Sequence, residues 1–211
     1  MLCTFVFQEM KNMDTKTVSF ILMMGALGNL LFAISYYAGN IIPGIIAIDL
    51  SLVAAYIAGF YGGPIMGFIS GLFAGIFPGI MFGPIGMGSW LGLFSLPLGK
   101  GLTGLTTGIV ARGLGLGRRP YSSLLAVPVT LLAYIPEALY TYVYCAYLLP
   151  FFLGTGGAFI FTLYILPKAL GEIVVMSLLM AALIGNRGFN DFISRFFAKS
   201  YMIPKLRTKE S

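Results

Sequence analysis

Long apolar segments separated by short polar ones dominate the pattern of this chain. The apolar runs cover residues 18–38, 45–60, 64–80, 93–110, 122–149 and 157–184. About 20 apolar residues suffice for a helix to cross the hydrocarbon core of a bilayer, and a helix satisfies its own backbone there. The pattern therefore predicts an all-α integral membrane protein with six transmembrane helices. Internal prolines are expected to bend the fifth and sixth helices.

Polar segments flank this apolar region at both ends of the chain. Residues 1–17 are predicted to form a cytoplasmic N-terminal tail, residues 18–184 a single six-helix transmembrane domain, and residues 185–211 a basic cytoplasmic C-terminal tail. In the C-terminal tail, aromatic and aliphatic side chains stand among basic ones. This pattern predicts a short amphipathic helix on the anionic inner leaflet, and the alternative is a plain solvated terminus.

The basic residues predict the orientation in the membrane, because cytoplasmic loops carry the excess of Lys and Arg. With the N-terminus inside, every Lys and Arg except Lys100 and Lys168 falls on the cytoplasmic side. The predicted outer loops, residues 39–44, 81–92 and 150–156, contain neither residue type. Six spans therefore place both termini in the cytoplasm, whereas five or seven spans would put a basic cluster on the outer face.

Composition narrows the possible functions. At 58% hydrophobic and 9% charged over 211 residues, the chain has too few polar residues to coat a soluble domain. It has no histidine, which the usual hydrolytic triads and most zinc sites require, so we expect neither an enzyme nor a metal or cofactor site. The net charge of +6 arises from residues that flank apolar runs, and no nucleic-acid partner is predicted.

Glycine follows a regular spacing in the third run. Gly63, Gly67, Gly71, Gly75 and Gly79 recur at every fourth residue. Small residues at this spacing let two helix backbones approach closely in a membrane. We expect the second and third spans to pack as a tight hairpin. The glycine row is then either an internal packing surface or a contact surface for a partner membrane subunit.

Five charged residues lie inside the apolar runs, where each costs at least about 2.5 kcal/mol to insert. They are Asp49, Lys100, Glu137, Lys168 and Glu172. Because of this cost, charged residues inside a membrane usually have a function, and these five are the functional candidates. The alternative is a structural ion-pair network. Counted from the predicted outer helix ends, Asp49 is shallow and Glu137 is level with Lys168, so these two are expected to meet. Lys168 and Glu172 are neighbours one turn apart.

Tyrosines accompany these charges on the fifth and sixth spans. Glu137, Tyr140 and Tyr144 are spaced to share one helix face, and so are Tyr164, Lys168 and Glu172. Apolar and aromatic walls with a few converging polar groups are typical of small-molecule pockets. The predicted substrate-binding set is therefore Asp49, Lys100, Glu137, Tyr140, Tyr144, Tyr164, Lys168 and Glu172.

Two stretches carry a resemblance to a known family. Residues 48–77 read IDLSLVAAYIAGFYGGPIMGFISGLFAGIF, with an Asp-Leu-Ser opening, a small-residue helix, a Gly-Gly-Pro turn and a glycine-repeated return helix. Residues 98–112 read LGKGLTGLTTGIVAR. Together with the predicted length and topology, these stretches resemble the S components, the substrate-binding membrane subunits, of energy-coupling-factor (ECF) transporters.

The resemblance implies a prokaryotic plasma-membrane protein that captures a vitamin or related micronutrient near its outer face. It further implies a transmembrane coupling subunit and two cytoplasmic ATPase subunits as partners. The family's small-residue motif in the first span, which contacts the coupling subunit, corresponds here to Gly25, Asn29 and Ala33, with Asn29 in place of a small apolar residue. The missing histidine and the single tryptophan, Trp90, disfavour nickel, cobalt and thiamine as substrates.

Two other functions compete with this interpretation. One is a stand-alone proton-coupled secondary carrier that uses Glu137 and Glu172 as proton sites. The other is a membrane scaffold without a transported ligand, in which the glycine row is the interaction face. Against the carrier, the two three-helix halves of the chain do not share Gly or Pro positions, as an internal repeat would require.

Overall fold

The computed structural model describes residues 15–41, 49–86, 89–116, 122–154, 159 and 161–194, and this part of the chain is helical, without strands. The helices are α1 (Thr15–Ile41), α2 (Leu52–Ile57), α3 (Pro64–Ala74), α4 (Ile76–Phe82), α5 (Ser89–Gly113), α6 (Ser122–Val143), α7 (Leu149–Leu153), α8 (Leu166–Gly185) and α9 (Arg187–Ser194). Five-residue π-helical turns cover Ala58–Gly62, Tyr144–Leu148 and Phe161–Ile165. The all-helical prediction is confirmed.

Within the described part of the chain, four helical segments are long and apolar enough to cross a membrane. They cover Thr15–Gly39, Pro64–Phe82, Ser123–Leu153 and Leu163–Gly185. Large apolar side chains such as Leu124, Leu139 and Leu178 point outward from them, as expected for a protein surrounded by lipid. The chain is therefore a helical membrane protein. α5 is of similar length, but it carries Lys100 and several glycines and threonines.

The helix in the second apolar run is shorter than the sequence predicts. α2 begins at Leu52 and continues through the π-helical turn to Gly62, whereas residues 45–48 lie outside the described part. Eleven residues rise about 16 Å, half the thickness of the hydrocarbon core. Gly63 then reverses the chain with a positive φ of 92°, a conformation that suits glycine. The N-terminal end of α2 consequently lies within the bundle.

The glycine row of the third run packs mainly against α5. A methyl group on Gly67 would overlap the backbone of Gly104, and one on Gly71 would overlap the backbone of Lys100. One on Gly75 would meet Pro97. Gly67 also lies against Gly59, so the α2–α3 hairpin is part of the same packing. The row is thus buried inside the bundle, between α3 and α5.

Asn29 on α1 occupies the break between α3 and α4. Its Nδ2 donates to the Phe73 carbonyl at 2.8 Å, and its Oδ1 accepts from the Phe77 amide at 2.8 Å. These two backbone groups would bond to each other in an uninterrupted helix, so the side chain is inserted into the hydrogen-bond ladder. The first-span motif residues Gly25 and Asn29 therefore contact the third run of this same chain.

The C-terminal amphipathic segment forms α9 and packs on the π-helical turn that follows α2. Ile193 is fully buried, and the Phe189 and Tyr61 rings meet edge to face at 5.9 Å. The Tyr61 hydroxyl donates to Asn190 Oδ1 at 2.5 Å. Phe192, in contrast, is 49% exposed. Part of the apolar face of this helix is therefore occupied by the bundle, and residues 195–211 lie outside the described part.

Candidate ligand-binding site

A buried ion pair between Lys100 and Asp49 forms the centre of the site. Lys100 Nζ lies 2.6 Å from Asp49 Oδ2 and donates to Ser51 Oγ at 2.6 Å, and its side chain is 3% exposed. Asp49 Oδ1 also accepts from the Ser51 amide at 3.0 Å. A buried charge is tolerated when it is paired and hydrogen-bonded in this way. The Asp-Leu-Ser opening of α2 thus provides the counter-ion and a second acceptor for the lysine.

Glu172 on α8 extends the ion pair into a chain of four charges. Its Oε1 accepts the Asp49 amide at 2.8 Å and lies 3.5 Å from Lys168 Nζ, one turn earlier on the same helix. The Glu172 side chain is 10% exposed and the Lys168 side chain 33%. Lys168, Glu172, Asp49 and Lys100 therefore connect α8, the N-terminal end of α2, and α5.

The sequence predicts that Asp49 lies closer to the helix ends than Lys100 and Glu172, whereas in the structure it lies at their level. Lys100 and Glu172 each lie about 11 residues after the first residue of their helical segments, Ser89 and Phe161, which is a rise of about 16 Å. Asp49 contacts both residues, so it lies at their level. The cause is the short second helix, because the chain turns into α2 only at the depth where these charges meet.

Glu137 on α6 approaches α5 without a cation. The Thr103 hydroxyl of α5 donates to Glu137 Oε2, one turn below Lys100. No described residue forms an ion pair with Glu137, and the expected Glu137–Lys168 pair is absent from the described part because Lys168 pairs with Glu172. The Glu137 side chain packs against Gly99, where an added methyl group would be in van der Waals contact with Glu137 Cγ at 3.4 Å and Oε1 at 3.6 Å.

The predicted tyrosines take different positions. The Tyr140 hydroxyl donates to Ser95 Oγ at 3.1 Å, one turn from Glu137, and Tyr144 is buried with Leu91. Tyr164 is 65% exposed, so it does not join the charges as predicted. It belongs to the π-helical turn Phe161–Ile165, which precedes the α-helix that carries Lys168 and Glu172.

Several polar neighbours of the charges were not singled out in the sequence analysis. Ser95, Gly99 and Thr103 recur at every fourth residue of α5 and face α6 through their contacts with Tyr140 and Glu137. This spacing is a signal that the sequence offers. Ser51, which binds Lys100, follows Asp49 by two residues, a spacing typical of a local turn.

The site as a whole combines three carboxylates, Asp49, Glu137 and Glu172, with two ammonium groups, Lys100 and Lys168. Fully ionised, these five groups sum to one negative charge. The described residues contain no cluster of three side chains able to hold a metal ion. No protein-family model, curated protein or solved structure matches this chain.

Proposed function

We propose that the chain is the substrate-capture subunit of an ECF-type importer and binds a vitamin or related micronutrient beside Lys100 and Glu137. The observation that carries this proposal is the gathering of five charged side chains on α5, α6, α8 and the start of α2 within an apolar bundle. Inserting each of these charges costs at least about 2.5 kcal/mol. A binding site for a polar ligand explains why charged residues stand in the apolar helices despite this cost.

Glu137 distinguishes this cluster from a purely structural ion-pair network. The Lys100–Asp49 ion pair and the hydrogen bond from the Asp49 amide to Glu172 suffice to connect α5, the segment before α2 and α8. Glu137 adds a third carboxylate that receives only the Thr103 hydroxyl among the described residues, so its second oxygen accepts no hydrogen bond from them. Tyr140 and Ser95 place further hydroxyl groups one turn away. Such converging polar groups in an apolar setting are typical of small-molecule sites.

The proposed topology has six crossings and both termini in the cytoplasm of a prokaryote. The four long apolar segments, the short α2 and α5 supply the six, and the basic residues supply the orientation. A transmembrane coupling subunit and two ATPase subunits would drive release of the captured ligand. Because Gly25 and Asn29 contact the third run, the docking surface would include other positions of α1 and α3.

A secondary carrier is the second candidate, and the carboxylate without a cation favours it. Glu137 would then load and release a proton as the protein changes between its two faces. The scaffold hypothesis is weaker, because α5 already covers the glycine row that was its proposed interaction face.

Extraction and transport separate these functions. Small molecules are released from the gently purified protein by organic solvent and identified by mass spectrometry. The purified chain is then placed in liposomes with a proton gradient, and accumulation of the identified compound is followed. A capture subunit carries a stoichiometric compound and does not accumulate it alone, whereas a carrier does. A wild-type protein that releases no compound contradicts the proposed function.

A further inference from the structure

Counted with all five groups ionised, the proposed site has one more negative than positive charge, and this difference bears on its ligand. Asp49 is neutralised by Lys100 at 2.6 Å, and Glu172 by Lys168 at 3.5 Å. Each of these carboxylates also accepts a backbone amide, from Ser51 and Asp49 respectively. The two pairs are thus internally complete, so neither lysine is available to neutralise a further anion without giving up its partner.

Glu137 is the charged side chain of the site that has no ion-pair partner among the described residues. It is partly buried on α6, its Oε2 accepts the Thr103 hydroxyl, and no described residue pairs with it as a cation. A single hydroxyl is a weak partner for a carboxylate, which has sites for about four hydrogen bonds. Its second oxygen, Oε1, accepts no hydrogen bond from any described residue. The carboxylate is therefore held in place through one oxygen, and its other oxygen can accept a hydrogen bond from a ligand.

From this we infer that the captured ligand carries a positive charge, as a protonated amine or a comparable organic cation, which pairs with the Glu137 carboxylate. A charge-assisted contact is shorter and stronger than a neutral one, and it gains strength where water is scarce. The ligand cation would bring the five charges of the site to neutrality. This inference rests on the proposed function.

The hydroxyl groups beside Glu137 suit the remainder of such a ligand. Tyr140 and Ser95 lie one turn along α6 and α5 from Glu137 and Gly99 and form a hydrogen bond of 3.1 Å that a polar substituent can replace. Their hydroxyls both donate and accept, so they set no sign of charge. The preference of the site for a positively charged ligand is consequently assigned to Glu137 alone.

The test compares the compound extracted from three forms of the full-length protein. Glu137→Gln keeps the size of the side chain and an oxygen for Thr103 but removes the charge. The control Asp191→Asn removes the same charge from α9, away from the site. Each form is first checked for a single symmetrical peak in size-exclusion chromatography, and the extract is then quantified by liquid chromatography with mass spectrometry.

The expected result is a basic compound in the wild type and in Asp191→Asn, with occupancy reduced about tenfold or more in Glu137→Gln. A compound without a basic group overturns the inference even if Glu137→Gln fails to fold, and so does a folded Glu137→Gln that retains the compound. Both outcomes leave the capture function standing. An empty wild-type protein overturns the capture function and the inference with it.

Discussion

The Lys100–Asp49 pair shows why a buried charge depends on its partner. Either residue alone, at 3% and 19% side-chain exposure, would be a desolvated charge inside an apolar bundle. Removing one member of such a pair typically costs about 3–5 kcal/mol, whereas replacing both with apolar or neutral groups is often close to neutral. The pair is therefore suited to a double-mutant cycle.

We expect Asp49→Asn and Lys100→Met each to lower the free energy of unfolding by about 3–5 kcal/mol. The double variant should lose much less than the sum, because it leaves no charge unpaired. Denaturation in detergent, followed by circular dichroism, measures all three. Lys16→Met, at an exposed position of α1, is the control and should change little. Additive losses would mean that the two side chains do not stabilise each other.

The charged residues of the site were predictable one by one, but their pairing was not. A charged residue inside an apolar run is evident from the sequence alone, and this applies to all five: Asp49, Lys100, Glu137, Lys168 and Glu172. Pairing depends on depth, which was counted from predicted helix ends. Because α2 begins only at Leu52, Asp49 lies at the level of Lys100 and Glu172 and not closer to the helix ends, as the count had placed it.

At the scale of elements, the junction of α3 and α4 depends on a side chain from another helix. Asn29 satisfies the Phe73 carbonyl and the Phe77 amide across the break. Pro78 contributes to the break, since it cannot donate a backbone hydrogen bond to Ala74. The kink is thus fixed by a contact between helices in addition to the local sequence.

Asn29→Ala should destabilise the protein by about 1–3 kcal/mol, because it leaves backbone groups of the third run without partners. Ser35→Ala is the matched control on the same helix: among the described residues its hydroxyl bonds only the Leu31 carbonyl of its own helix, and its loss should cost less. Thermal unfolding in detergent compares the two. Equal losses would show that the inserted amide has no special role.

Glycine substitutions test the packing of α3 on α5. Gly71→Ala should cost about 1–3 kcal/mol or more, because the added methyl group meets the backbone of Lys100, which cannot move aside as a side chain can. In Gly171→Ala on α8, the new methyl group has no described atom within 4 Å beyond the adjacent backbone of its own helix, so this change should be neutral or stabilising. Thermal unfolding in detergent compares the stability of the two variants. Similar effects at both sites would contradict the close α3–α5 contact.

The extents of most helices follow from the apolar runs, whereas their interruptions do not. Periodicity cannot distinguish an α-helical turn from a π-helical one, so the π-helical turn at Phe161–Ile165, which contains the exposed Tyr164, was not foreseen. Nor does a glycine row indicate its partner. The spacing in the third run predicted close packing correctly but did not identify α5 as the main neighbour.

At the scale of the whole molecule, the proposed six-crossing topology makes the two ends of each helix accessible from different sides. In a background with Cys3→Ser and Cys145→Ala, Phe151→Cys, at an 81% exposed position, should react with an impermeant maleimide added to intact cells. Gly113→Cys, at the end of α5, should react only after permeabilisation. The opposite labelling, or labelling of both from outside, would contradict the orientation.

Whether the charge cluster binds a small molecule is measured by native mass spectrometry of the intact protein. The measurement compares the wild type with Glu137→Ala, which removes the carboxylate that has no ion-pair partner among the described residues. We expect a one-to-one ligand adduct on the wild type that is missing from folded Glu137→Ala. An adduct retained by folded Glu137→Ala, or a wild type without one, would contradict the proposed site.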